Sequence, residues 1–236
     1  MKTKLLLSFL ALLCFKSMAQ DGLKNFTYGI RVTSSNASVG RNFIANSSIN
    51  YSDKSISSFT ISGFAEHHVG KLFYIQGGVN YIVKGYGTDL TTVNDMGEFL
   101  NLNREIKANY IEIPIYGLFR FNAGKGNFFI GAGPYAAIGV GGKIKRELFV
   151  QSTTANNGLE LVSEEKEKTS FGNDAEDDFK NLDFGTNVQL GYEFKKGFNL
   201  GLSLGIGMYN VSPKNNQENI DVKHANLGLS LGYRFK

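Results

Sequence analysis

Cysteine, tryptophan, proline and histidine are nearly missing from this 236-residue chain: one Cys, no Trp, three Pro and three His. Cys14 lies inside the first 19 residues, and once those are removed no thiol remains for a disulfide, thiolate catalysis or a cysteine metal site. His67 and His68 fall at one end of a strand-like segment and His224 near the opposite end of the last one, so they should not converge on a metal or a catalytic serine. Long apolar runs are also absent beyond Leu5 to Phe15, and that run is too short to cross a bilayer as a helix. Charge of one sign is lacking as well. The formal net charge is +4, but without Lys2, Lys4 and Lys16 it falls to +1, and no basic stripe is left for nucleic acid.

What is present begins with a secretory pattern. Lys2 and Lys4 precede the apolar segment, and Ser17-Met18-Ala19 offers small residues for cleavage before Gln20. Leu13 stands where a lipoprotein signal would need a small residue before Cys14. The expected organisation is therefore a signal peptide over 1–19 and one domain over 20–236.

The domain is rich in glycine, with 28 residues, and alternates apolar with small or polar residues at a period of two. Phe198, Leu200, Leu202, Leu204, Ile206 and Met208 share one face, while Asn199, Gly201, Ser203, Gly205 and Gly207 share the other. Leu227 to Phe235 and Leu182 to Phe194 repeat the arrangement. A soluble sandwich also alternates, but glycine weakens strands unless something packs closely against them. A membrane barrel requires this alternation, with apolar side chains toward lipid and small or polar ones toward the lumen. The same phase predicts strands near 26–33, 57–68, 72–85, 109–121, 127–143, 182–194, 198–208 and 222–235.

Eight strands put both ends of the domain on one side. Short links at Val69 to Lys71, Ala123 to Gly126 and Lys195 to Gly197 alternate with long polar joins at 34–56, 86–108, 144–181 and 212–221. The fold expected is an all-β, eight-stranded, antiparallel up-and-down transmembrane β-barrel with short periplasmic turns, long extracellular loops and both termini periplasmic. Phe26, Tyr28, Phe119, Phe121, Phe128, Tyr192, Phe194, Phe198, Tyr233 and Phe235 fall near the short-turn ends and read as an aromatic girdle.

Two segments are more specific than a pattern: Asn109-Tyr110-Ile111-Glu112-Ile113-Pro114-Ile115 and Gly131-Ala132-Gly133-Pro134-Tyr135. Together with Gly191-Tyr192-Glu193-Phe194 and the closing Leu231-Gly232-Tyr233-Arg234-Phe235, they resemble the Bacteroidetes outer-membrane β-barrel family of porin-like or PorT-like proteins. That resemblance implies an eight-stranded barrel in the outer membrane, inserted by the assembly machinery that recognises an alternating C-terminal strand. It implies no enzymatic site, and "porin" in it is a family name.

Phase assigns Arg31, Glu66, Glu112, Arg120, Glu193 and Arg234 to the lumen. Charges in a narrow barrel are costly unless paired, so these six predict an internal network of ion pairs and hydrogen bonds. The plain reading is a barrel filled and fixed by its own side chains; the sharper one is a narrow path for ions or small solutes. Glycines on 131–141 and 201–232 face bulky Phe64, Tyr74, Tyr110 and Tyr116, which predicts steric complementarity. The charged stretches Glu164 to Lys168 and Asp174 to Asp178 read as a mobile, solvated loop, with a surface partner or divalent cations as alternatives.

The sequence calls for no cofactor and no metal. A membrane-enzyme reading would need a carboxylate and a nucleophile near His224. Expected partners are outer-membrane lipid and lipopolysaccharide, the assembly machinery through the last strand, and a protein at the extracellular loops.

Overall fold

A computed structural model describes residues 26–42, 51–93, 99–151, 158–174, 176–213 and 221–235. The expected signal segment, 1–19, lies outside the described residues. Among the described residues there are ten strands: β1 (Phe26–Asn42), β2 (Tyr51–Lys54), β3 (Ile56–Gly70), β4 (Phe73–Val93), β5 (Phe99–Ala123), β6 (Gly126–Gln151), β7 (Leu159–Lys168), β8 (Leu182–Phe194), β9 (Phe198–Gly207) and β10 (Asp221–Phe235).

Eight of them close a ring in the order β1, β3, β4, β5, β6, β8, β9, β10. Every pairing between these strands is antiparallel, and the ring closes where Tyr28 lies opposite Phe235 and Val32 opposite Leu231. Closure removes the sheet edges that an apolar belt could not leave open, since crossing a bilayer requires backbone polar groups to pair between strands. The outward positions are apolar and left uncovered: Leu229 is 69% exposed, Leu231 57% and Ile113 55%. In water such a belt would be a large unfavourable surface; in a bilayer it is the anchoring face.

β2 and β7 are additions to the predicted eight. β2 pairs with the far end of β4, and β7 with the far end of β6. The joins expected at 34–56, 86–108 and 144–181 are thus shorter than predicted. β1 continues to Asn42, β4 to Val93, β5 starts at Phe99 and β6 runs to Gln151. At 100–105 and 145–150 both faces of the strand are partly exposed, so the period-two signal fades while the ladder hydrogen bonds continue. The stretch from Glu164 to Lys168, expected as a mobile loop, is strand β7, held by its ladder to β6 and by ion pairs such as Arg146 to Glu167 at 2.7 Å.

The lumen is filled by contacts between aromatic rings and glycines on neighbouring strands. A Cβ on Gly191 of β8 would lie 2.6 Å from Cζ of Phe129, so only glycine accommodates that inward ring. Gly139 of β6 plays the same part beneath Phe171, whose ring occupies the space a Cβ there would need. One phase correction follows from a bulge: the β5–β6 register shifts between Asn109 and Tyr110. Gly142, which abuts Thr169, therefore takes the inward place expected for Gly141.

Candidate functional site

Alternation on eight strands delivers the polar side chains to the barrel axis, where they group at two levels. At the short-turn level stand Glu66 of β3, Gln76 of β4, Arg120 of β5, Glu193 of β8 and Arg234 of β10. Arg120 donates to Glu193 at 2.7 Å and to both oxygens of Glu66 at 2.6 and 2.8 Å. Arg234 forks onto Glu193 with contacts of 2.8 and 2.5 Å, and Gln76 donates to Glu66 at 2.9 Å. Glu66 is 0% exposed and Glu193 1%. Glu193 is thus neutralised by a two-nitrogen fork from Arg234, the geometry that makes such pairs strong, and Glu66 by Nη2 of Arg120 shared between its two oxygens.

Gln189 links this level upward by donating to Gln76 at 2.5 Å and accepting from Arg31. Arg31 has no carboxylate in ion-pair contact among the described residues; its guanidinium lies 5.0 Å from the Phe64 ring centre and 5.7 Å from that of Phe129. Above it lies a cavity of about 60 Å³, walled by hydroxyls of Thr33, Ser35, Thr60, Ser62 and Ser203. Arg31 Nε and Ser35 Oγ are buried there with no protein hydrogen-bond partner among the described residues. A polar cavity of that size accommodates a few water molecules.

The second level is built around Lys84, which is 2% exposed. Its ammonium is 3.0 Å from Glu112 and 2.9 Å from Asp183, and 4.0 Å from the Tyr135 ring centre. Asn80 and Asn187 donate to Glu112 at 3.0 and 2.8 Å. Asp183 also accepts from Tyr135 at 3.3 Å and lies 3.3 Å from Nδ1 of His224.

Of the six predicted lumen residues, four (Glu66, Arg120, Glu193 and Arg234) meet in one cluster. Glu112 stands in the other, and Arg31 lies between. Lys84, Asp183, Gln76, Gln189, Asn80 and the His224 contact were not among the expected site residues. Lys84 shares the parity of Tyr74, Gln76 and Asn80 and falls at the end of the predicted strand, while Asp183 stands on the polar face of the alternating segment Leu182 to Phe194. Parity alone was a signal for both.

Residues 169–174 and 176–181 form a cap above the second level. Phe179 is 1% exposed and lies 5.2 Å from the His224 ring and 6.3 Å from Tyr86; Phe171 meets Tyr110 at 5.5 Å. With Ile82, Ile106, Ile144, Val211 and Val222 these rings form an apolar core cluster. The cap is tied down by Gly139 N to Asn181 O at 2.8 Å, Lys180 N to Val211 O at 2.8 Å, and Arg104 to Asp178 at 3.2 Å. Asp178, expected in a mobile stretch, is thus fixed. His224 is beside a carboxylate, but its Nε2 has no hydrogen-bond partner among the described residues. No group of three His, Cys, Asp or Glu among the described residues is placed to hold a metal ion.

No curated protein sequence matches the chain. Among solved structures it is similar to the Ail attachment invasion locus protein of Yersinia pestis, at 11% identity over 89% of this chain and 99% of that one, with a TM-score of 0.37. It is similar also to Neisserial surface protein A, at 9% identity over 88% and 97%, with a TM-score of 0.38. The N-terminal β-barrel domain of Pseudomonas aeruginosa OprF aligns at 10% identity over 88% and 97%, with a TM-score of 0.27. A family model described as the outer membrane protein beta-barrel domain matches residues 7–235, nearly the whole chain. The chain belongs to that family and is a small outer-membrane β-barrel protein.

Proposed function

We propose that this barrel is a closed membrane anchor that works as a structural or surface-interaction protein of the PorT-like kind, with both termini periplasmic and the extended strands outside. Its mature chain starts near Gln20, and β10 carries the signal read by the assembly machinery. Lipid and lipopolysaccharide surround it, and a protein partner meets the β4–β7 extension. One observation carries this reading: the axis is obstructed at three successive levels, by the Arg120 and Arg234 cluster, the Lys84 cluster and the Phe171–Phe179 cap. Eight-stranded barrels have interiors just wide enough for side chains, and here those side chains are cross-linked.

Planar-bilayer recording of the refolded protein tests it. The expected result is no stepwise current in wild type; a steady conductance of the wild-type barrel overturns the closed reading. The cavity beside Arg31 supports a second reading, a narrow path for ions or small solutes. That reading requires current in wild type that rises in Glu112→Ala or Arg120→Ala. An enzyme reading draws only on the His224–Asp183 contact, and the imidazole is 1% exposed beneath the cap.

A further inference from the structure

The outward face of β5, β6 and β7 carries three lysines in one row across the strands: Lys107 is opposite Lys143, and Lys143 is opposite Lys168. Their chain neighbours Ile106, Ile144 and Thr169 are buried on the inner side, which leaves the lysines pointing away from the barrel axis. Neighbouring strands lie about 5 Å apart, so this row packs three like charges side by side, an arrangement that destabilises a sheet unless something neutralises it.

The protein's own acids do not complete that neutralisation. The next rows away from the barrel hold Glu105, Lys145 and Lys166, then Glu147 and Glu164. Lys107 is paired with Glu105 at 2.5 Å, Lys145 with Glu147 at 2.6 Å and Lys166 with Glu164 at 2.5 Å. The bond from Lys166 holds the Glu164 carboxyl below its usual range, and the bond to Glu147 raises Lys145. Among the described residues, the three acids of these rows are thereby engaged. Lys143 and Lys168, both exposed and directly opposite one another, have no carboxylate in contact among the described residues.

The position of the row narrows the choice of counter-ion. Ile111, Ile138 and Leu182 lie side by side in one row on the adjacent strands β5, β6 and β8, and Ile138 and Leu182 are 50% and 47% exposed as part of the lipid-facing belt. Val140, 54% exposed, is the last apolar side chain of β6 before Lys143. Four to five strand residues separate the apolar row from the basic one, roughly 10 Å of height in a tilted barrel, which is the depth of a lipid headgroup above its acyl chains. Lysine stems lie along apolar surface with the ammonium held in the polar layer.

We infer that Lys107, Lys143 and Lys168 form a binding site for a phosphorylated lipid headgroup, and that its source is the lipopolysaccharide of the outer leaflet. The dianionic phosphate supplies what Lys143 and Lys168 lack, while Ile138, Val140 and Leu182 receive the acyl chain beneath. The leaflet rests on the orientation proposed above; the phosphate site rests only on the belt lying in the membrane.

The refolded mature protein, titrated with lipopolysaccharide, with dephosphorylated lipopolysaccharide and with phosphatidylglycerol, and read by native mass spectrometry, tests the site. The double variant Lys143→Gln/Lys168→Gln is expected to bind intact lipopolysaccharide about 30-fold more weakly than wild type, with both side chains outside the fold's packing. Dephosphorylation should weaken wild type by a similar factor and leave the double variant unmoved. Unchanged affinity in the double variant, or no effect of dephosphorylation, overturns the site. Phosphatidylglycerol binding as tightly as lipopolysaccharide overturns the assigned source. Orientation is tested separately: Lys166→Cys should react with a membrane-impermeant maleimide on intact cells, and protection there overturns the leaflet while leaving the phosphate site standing.

Discussion

Replacing Arg120 with methionine tests the closed lumen most directly, because one guanidinium neutralises two buried carboxylates. The change removes three hydrogen bonds, of 2.6, 2.7 and 2.8 Å, and leaves an unbranched apolar side chain in place of the arginine stem. Glu193 keeps its fork from Arg234, whereas Glu66 keeps only the Gln76 amide and an Arg234 contact at 4.0 Å. Two carboxylates then face one guanidinium at a depth where neither reaches bulk water. Leaving a buried charge uncompensated costs about 3–5 kcal/mol. The remaining Arg234 to Glu66 attraction, about 4 kcal/mol at 4 Å with an effective dielectric near 20, offsets part of the charge imbalance but replaces none of the lost hydrogen bonds. The expected loss is about 3 kcal/mol.

Urea unfolding of the refolded barrel, followed by its heat-modifiable migration on a gel, reads this loss without tryptophan, which the chain lacks. At a slope of about 1–3 kcal/mol/M the midpoint falls by about 1–3 M. Adding Glu66→Gln to the methionine variant removes the unpaired charge and should recover at least about 1 kcal/mol as a coupling between the two sites. A loss below about 1 kcal/mol for Arg120→Met, or a double variant no more stable than the single, would refute the reasoning.

Lys84→Met should cost about 3–5 kcal/mol for the same reason, since Glu112 and Asp183 then face each other without their shared ammonium; adding Asp183→Asn should return part of it, read by the same urea titration. Gly139→Val drives a side chain into the place of the Phe171 ring, so it should destabilise by about 1–3 kcal/mol and speed tryptic cleavage at Lys168 or Lys180 while the folded gel band persists. Leu229→Arg, on the lipid-facing belt, should cost about 2–4 kcal/mol in a bilayer. Val162→Arg, on the exposed β7, should change stability by under about 0.5 kcal/mol, and equal costs at the two sites would contradict the placement of the belt.

The belt and the ring were legible in the sequence wherever the two faces of a strand meet different solvents. Leu227, Leu229 and Leu231 alternate with Gly228, Ser230 and Gly232 because one set meets lipid and the other meets packed side chains, and that contrast is local. The same contrast disappears in Asn101-Leu102-Asn103-Arg104-Glu105, where β5 continues above the belt with water on both sides. Strand there is held by pairing with β4 and β6, which no local pattern records. The cap was illegible for a related reason. Phe171 and Phe179 sit in a polar stretch, and what selects their places is Gly139, Tyr110, Tyr86 and His224, supplied by four other strands. Parity did find lumen charges one by one, but their grouping depends on depth, and depth depends on register between strands far apart in sequence.

Register also distributes charge along the axis in a way that no single strand encodes. Arg120 and Arg234 balance Glu66 and Glu193 at the short-turn level, while Lys84 stands against both Glu112 and Asp183 at the other. The second level therefore sets two carboxylates against one ammonium. Arg31, which touches a carboxamide and two rings but no carboxylate, supplies the matching positive charge from beside the cavity between the levels. Its place is explained by the sum over the lumen better than by any contact it makes. A pore that selects ions lines its path with charges of one sign. Here opposite signs close on each other at each level and the whole cancels, so the interior gives a passing cation or anion no preferred route, which argues for a filled anchor over a conduit.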